Sequence, residues 1–533
     1  MNGECNQGSL RIYDTTLRDG AQAEGVSFSK ADKVRIAEML DNFGVSYIEG
    51  GWPGSNPRDI AFFEAMKGVK LRHAKLAAFG STRRPNIKAE DEDNLRKLLD
   101  SEAPVVTIFG KTWLLHVHEV LKVSPGQNLE MIADSCAFLR GHGREVVFDA
   151  EHFFDGYKDD PDYALAVLKT SVEAGATTVV LCDTNGGRLP SEVANICREV
   201  ISSIPSEVIV GIHCHNDSEL AVANSLVAVE SGARHVQGTI NGFGERCGNA
   251  NLCSIIPALE LKMGFAPLLQ KSLKTIRELS AAVDEIANLK PMRRQPYCGD
   301  SAFAHKGGMH VNAVKKVSRS FEHIDPELVG NRRRILVSDL SGKDNIFLKT
   351  AEHNLDKLAP EEVSQLLAEL KEMEGEGYEF EAADASFNLL ARKVLKKSES
   401  FFTLDGYRVI VEKRGHDSPC LAEATVKVNV KDVHEITAAE GDGPVNALDK
   451  AFRKALTRFY PEIKDVTLKD FKVRILEGDD GTAAKTRVLI ESGDGKSNWG
   501  TVGVNENIIE ASWEALVDSL EYALYKKRDA AAT

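Results

Sequence analysis

The stretch "IYDTTLRDGAQAEG", residues 12–25, runs a strand-like apolar start straight into Asp14, two threonines, Arg18 and Asp19. A strand interior would bury those charges at high cost, and an ordinary surface turn has no need of an arginine beside an aspartate. Two readings fit: a polar loop that caps the next helix, or the mouth of a functional site. An open doubly wound sheet usually carries a glycine-rich turn after its first strand. "DTTLRDG" is not such a turn, so the segment favours a closed barrel.

Working outward, β-type apolar runs recur about every 30 residues. They are "LRIYD" (10–14), "VSYIEGG" (45–51), "KLAAFGS" (75–81), "VVTIFGK" (105–111), "EVVFDAE" (145–151), "TTVVLCDTNG" (177–186), "VIVGIHCHND" (208–217) and "HVQGTINGFGER" (235–246). Helical patterns lie between them, several closing at a glycine such as Gly44, Gly175 or Gly232. Eight strand–helix units in about 250 residues predict an α/β fold, a (β/α)8 TIM barrel. Polar residues gather where the strands end: Arg18 and Asp19, Glu151, Asp183 and Thr184, His213 and His215, then Glu245, Arg246 and Asn249. The C-terminal face of such a barrel carries its chemistry.

The reading divides the chain into a catalytic barrel over 1–270, helical linker subdomains over 271–395 and a C-terminal α+β domain over 396–533. In the last part "ATVKVNV" and "KTRVLIE" alternate as half-buried antiparallel strands do, each followed by a helical pattern. A duplicated unit of three strands and a helix is expected. It holds no cluster of catalytic residue types, so regulation or dimerisation is its expected task.

Composition narrows the partners. A formal net charge of -14 over 533 residues repels nucleic acid and anionic membranes. No apolar run approaches the roughly 20 residues of a membrane span. The start "MNGECNQGSLRIYD" lacks a basic region followed by an apolar core, so no secretory signal is expected there. The nine cysteines include no CxxC pair and read as reduced thiols, most of them buried, in a cytoplasmic protein.

"IHCHND" is the sharpest local signal. Alternate residues on a strand share a face, so His213 and His215 project together while Cys214 points away. Paired neutral imidazoles suit a divalent metal, and a hydrogen-bonded histidine pair is the plain alternative. Asp19 reaches the same rim and adds an anionic oxygen; Asn249 can add a neutral one. This mixed N/O set suits Mg, Mn or Zn at a catalytic rather than a closed structural site. Arg18 would then serve a reacting oxygen; its plain role is a salt bridge to a glutamate. "NGFGERCGN" has no lysine in Walker spacing and is not a phosphate loop. Cys247 has no base assigned to it and reads as a structural thiol.

"LRDGAQAEGVSFSKADK", "HCHND", "NGFGERCGNANL", "AFAHKGGMHVNAV" (302–314) and "TAAEGDGPVNALDKA" together resemble the 2-isopropylmalate synthase and homocitrate synthase family, in order along nearly the whole chain. The resemblance implies a metal-dependent Claisen-type condensation of acetyl-CoA with a 2-oxo acid. It implies Asp19, His213, His215 and Asn249 as metal ligands, Arg18 at the carbonyl or enolate oxygen, and Thr184 against the oxo acid. It further implies Glu151 as the barrel glutamate and His310 as the linker acid–base histidine, with His305 a nearby decoy and a homodimer as the assembly. The chain departs from the family pattern at Glu219, where many relatives have glycine, and in "GNRRRILVSDLSGK", which lacks a tyrosine that some relatives use.

"IEGGWPGSNPRD", "AFGSTRR" and "DAEHFFDGYKDDP" resemble the citramalate synthase branch, which takes pyruvate into isoleucine synthesis. Trp52, Phe153 and Phe154 either shrink the acceptor pocket or pack barrel against helix. Arg83 and Arg84 either meet coenzyme phosphates or sit solvated in a loop. The alternative acceptor is 2-oxoisovalerate, as in 2-isopropylmalate synthase. Less favoured are a 3-hydroxy-3-methylglutaryl-CoA lyase-like enzyme and a noncatalytic metabolite sensor. The C-terminal domain implies feedback control, by isoleucine in the first case and leucine in the second.

Overall fold

The computed structural model describes residues 10–268, 272–352, 355, 358–396, 398, 400–416, 419–476, 481 and 483–532. Most of the N-terminal stretch read for a signal, and the expected boundary at 270/271, lie outside them. The described chain forms two compact units. The first comprises Met1–Phe303 with Ile324–Arg332; the second comprises Ala304–His323 with Arg333–Thr533.

Eight parallel strands close the barrel of the first unit: β1 (Arg11–Asp14), β2 (Tyr47–Gly51), β3 (Lys75–Ser81), β4 (Val105–Lys111), β5 (Glu145–Glu151), β6 (Thr178–Asp183), β7 (Ile209–Cys214) and β8 (His235–Gly238). Closure comes from β8 pairing with β1, Arg11 opposite His235 through Asp14 opposite Gly238. The expected (β/α)8 fold is present. The first helix, Lys30–Phe43, shows how the units are punctuated. Ser29 and Asp32 form a reciprocal cap at its start, and Gly44 takes a left-handed φ of 92° at its end, which an L side chain adopts only with strain.

Strand alternation sorts the side chains into two cores. Ile12, Ile48, Val106, Ile108, Phe148, Val179, Leu181, Ile212 and Val236 point outward and pack against the helices. Tyr13, Tyr47, Ala77, Val105, Val147, Val180 and Cys182 fill the barrel interior. One step further toward the C-terminal ends the buried inward positions turn polar: Glu49, Thr107, Asp149, His213 and Gln237. This layer is the floor of the site.

The second unit carries linker helices, among them Gly308–Lys316, Lys343–Glu352, Pro360–Gly375 and Asp384–Val394, and a short pair, β9 (Ala304–His305) and β10 (Arg334–Ile335). The expected duplication follows. One antiparallel sheet holds β11 (Thr403–Lys413), β12 (Cys420–Val430) and β13 (Val433–Gly441), followed by the helix Pro444–Thr457. The other holds β14 (Thr467–Ile475), β15 (Thr486–Gly493) and β16 (Asn498–Asn505), followed by Ile508–Ala532. On β12 the alternate residues Ala422, Ala424, Val426, Val428 and Val430 are buried in a core shared with Ala447, Leu448, Ala451 and Phe452.

Candidate metal and substrate site

From Asp14 to Gly20 the opening stretch is a largely buried turn, and its side chains cap no helix. Asp14 accepts hydrogen bonds from the Thr16 N–H and hydroxyl, both at 2.9 Å. Thr16 Oγ1 in turn accepts from Ile240 N–H at 2.9 Å, so the exits of β1 and β8 are tied together. Asp19 makes no side-chain cap to the short turn that follows it, and the long helix beyond is capped by Ser29. Arg18 and Asp19 are therefore left to face the barrel mouth.

Asp19 Oδ2 lies 3.4 Å from His213 Nε2 and 3.9 Å from His215 Nε2. One ligand atom from each residue falls within 4.8 Å of the other two. Burial works to raise the Asp19 carboxyl, but the Arg18 guanidinium beside it, together with the neighbouring His213, His215 and Asn249, outweighs burial and holds it below the usual carboxylate range. Burial lowers both imidazoles, His215 to about 4, so both stand neutral at ordinary pH. An ionised carboxylate and two neutral imidazoles are the ligand-ready forms of these groups.

His213 is the better oriented imidazole. Its Nδ1 lies 2.8 Å from Gln237 Oε1, and Gln237 Nε2 donates to Asp149 Oδ1 at 3.0 Å. With Nδ1–H donated to Gln237, the Nε2 lone pair is turned toward Asp19. Burial, then the nearby Glu49, push Asp149 up to about 8, so it carries a proton at neutral pH and the interior does not hold two bare carboxylates. His215 lies just past the end of β7 and is held by a backbone bridge to Asn249. The Asn249 side chain comes near enough to help keep Asp19 ionised, yet neither amide atom makes a well-formed hydrogen bond, and His215 Nδ1 makes none. Orphaned buried polar atoms beside a carboxylate and two imidazoles fit a divalent cation.

Arg18 is clamped rather than free. Its Nε donates to Glu49 Oε2 at 2.6 Å, its Nη1 lies 3.4 Å from Asp19 Oδ2, and the guanidinium sits 3.6 Å over the Phe79 ring. Glu49 also accepts from Tyr13 OH at 2.6 Å and Thr15 Oγ1 at 2.5 Å. Phe79 stacks on Phe109, and Trp52 meets both edge-on. Glu49, Asp149 and Gln237 have no place in the sequence reading of the site. Their one signal was a polar residue at an inward position of an otherwise apolar strand.

Residues 9–283 match the HMGL-like family, 298–377 a homocitrate synthase post-HMGL domain-like family, and 381–524 the LeuA allosteric (dimerisation) domain. An (R)-citramalate synthase of Geobacter sulfurreducens is 56% identical over 521 residues, spanning 98% of each chain. This chain belongs to the (R)-citramalate synthase family. The Aquifex aeolicus member is 55% identical over 97% of this chain and 98% of its own. A probable 2-isopropylmalate synthase of Methanopyrus kandleri is only 32% identical, over 98% and 99% of the two chains. The family is one of acyltransferases with an allosteric domain, and the 2-isopropylmalate synthase alternative is the distant one.

Within this (R)-citramalate synthase family chain the other expected residues are distributed as follows. Glu151 ends β5 in an ion pair with Lys111. Thr184 Oγ1 accepts from His152 N–H at 2.9 Å. His310 is exposed in the second unit, its ring stacked on Phe321 at 4.2 Å, while His305 bonds Glu322 at 3.1 Å. Phe153 and Phe154 are buried in the helix-facing core, so for them the packing reading holds; Trp52 stands in the aromatic cluster beside Arg18. Arg83 pairs with Asp134 and Arg84 with Glu92. Six described cysteines are buried as expected, whereas Cys247 and Cys420 are exposed.

Glu219 adopts a left-handed φ of 60° while its N–H closes a turn onto Asn216 O at 2.9 Å. A glutamate is strained there and glycine is not. Glu219→Gly is expected to stabilise the protein by about 1 kcal/mol, read as a higher urea midpoint at unchanged slope. A lower midpoint would show that the Glu219 side chain contributes more than its backbone strain costs.

Proposed function

We propose that this chain condenses acetyl-CoA with pyruvate and water to give (R)-citramalate and CoA, as a cytoplasmic enzyme of isoleucine synthesis. The observation that carries the reading is the Asp19–His213–His215–Asn249 group beside the clamped Arg18, in a chain aligned end to end with citramalate synthases. Asp19, His213, His215 and Asn249 would hold a divalent cation, Mg, Mn or Zn, which when bound supplies Lewis-acid polarisation of the oxo-acid carbonyl. Arg18 offers fixed N–H donors to the oxygen on which negative charge grows. Thr184 binds the oxo acid. Glu151, tethered by Lys111, and His310 hold or move protons, His310 being the group proposed to take one from the acetyl methyl. The aromatic cluster of Phe79, Phe109 and Trp52 beside Arg18 favours a small acceptor group, a methyl over an isopropyl. Such discrimination is worth about 1–3 kcal/mol per methylene. The LeuA-type domain supports a homodimer under allosteric control, and isoleucine, the end product of the proposed route, is the proposed effector.

The test is CoA release with acetyl-CoA, a divalent metal and each 2-oxo acid in turn. Because Cys247 and Cys420 are exposed and consume thiol reagent, each run needs a protein blank. Preferred turnover of pyruvate is the expected result. Preference for 2-oxoisovalerate would move the acceptor assignment, and no turnover with any oxo acid from folded, metal-loaded protein would overturn the condensation.

A further inference from the structure

We propose that His152 is a positioning residue for the acceptor: it holds Thr184 so that the threonine hydroxyl is left as a dedicated donor to the carboxylate of the oxo acid. The inference rests on the condensation reading above and adds a residue to it.

His152 is the first residue after β5 and has a left-handed backbone, φ 56° and ψ 33°. Histidine is one of the few residues besides glycine that take this region, and here its surroundings hold it there. The enforcement is visible on two sides of the ring. Nδ1 faces Asp155 Oδ2 at 3.4 Å, and Asp155 is itself gripped by Asn185 Nδ2 at 2.9 Å and Arg188 Nη2 at 3.2 Å. Burial works to raise Asp155, but the bond from His152 and the charge of Arg188 outweigh it, so the anchor remains ionised. On its other side the ring meets His116 edge-on at 4.4 Å, with Trp113 tilted against it at 5.7 Å. Trp113 is pinned in turn by Nε1 donating to Asp159 Oδ2 at 2.5 Å.

The consequence falls on Thr184. With the ring locked, the His152 N–H points at Thr184 Oγ1. The other end of the residue is held as well, since the Thr184 carbonyl accepts from Arg246 Nη2 at 2.6 Å, and Arg246 is paired with Asp217. A hydroxyl has one proton to donate and two lone pairs to accept with. Here one lone pair is engaged by the His152 N–H, and no described residue takes the proton. A fixed donor at the barrel mouth matches an anionic oxygen, and a 2-oxo acid presents one in its carboxylate.

The test is a double-mutant cycle read on the KM of whichever oxo acid the wild type turns over. His152→Ala should raise that KM by about tenfold or more, since a hydrogen bond to a charged group is misplaced, with kcat within about threefold and metal content unchanged. His152→Asn should return KM to within about threefold, because asparagine accepts left-handed backbone. In a Thr184→Val background His152→Ala should add nothing, because the two act as one unit. An unchanged KM in His152→Ala, or an equal rise in the Thr184→Val background, would overturn the inference while leaving the condensation standing. Absence of turnover by the wild type with every oxo acid would overturn both.

Discussion

Replacing Arg18 with methionine is expected to lower kcat by about 10²–10³-fold, the usual loss when a preorganised donor to a developing oxyanion is removed. The geometry says why so much should rest on one side chain. The guanidinium is held by Glu49 at Nε and by the face of Phe79 below, so its remaining N–H groups are aimed before any substrate arrives. Burial opposes its charge, but Glu49 and Asp19 outweigh that, and it stays protonated throughout the working pH range. Methionine keeps an unbranched apolar stem, ends about where Nε now lies and carries no N–H donor. Glu49 keeps Tyr13 and Thr15 as donors, so the buried carboxylate is not orphaned and the fold should survive. The measurement is kcat together with bound metal by elemental analysis and an unfolding midpoint. Full metal, a normal midpoint and kcat within threefold of wild type would show that Arg18 does no more than neutralise Glu49.

The same residues show what a sequence discloses about such a site. The barrel is legible because the outward residues of each strand are apolar and the helices between them end in turn signals such as Gly44. Strand ends are less so: "HVQGTINGFGER" reads as one run, yet β8 stops at Gly238, and Asn241 soon turns left-handed at φ 61°. His213 and His215 are legible as an alternating pair of imidazoles closing β7, and Asp19 as a charge beside Arg18 just past β1. Glu49, Asp149 and Gln237 are not. They sit inside strands whose neighbours are apolar, and the barrel interior, which makes their positions inward, exists only once strands far apart in sequence have closed. Tyr13 on β1 and Thr107 on β4 meet there at 2.7 Å across 94 residues, a pairing no local pattern announces. Phe153 and Phe154 read equally as pocket or core for the same reason, since a buried aromatic after a strand reads alike in either place.

Gln237 illustrates how much of the metal chemistry lies in that hidden layer. Gln237→Leu is expected to weaken divalent-metal binding by about 10–100-fold, the range found when a partner that orients a ligating histidine is lost. Leucine fills similar space but cannot accept the His213 Nδ1 proton or donate to Asp149. His213 would be free to place its proton on Nε2, the atom that faces Asp19, and each such tautomer removes a lone pair from the site. Asp149 is spared a charge penalty, because its raised pKa already leaves it protonated near neutral pH. Mn²⁺ binding to the variant by calorimetry, beside a Gln237→Glu variant that retains an acceptor for His213, separates orientation from packing. Recovery of affinity in the glutamate variant supports orientation through the imidazole. A Gln237→Leu protein that binds Mn²⁺ within twofold of wild type would mean that Asp19, His215 and Asn249 set the affinity without help from the barrel interior.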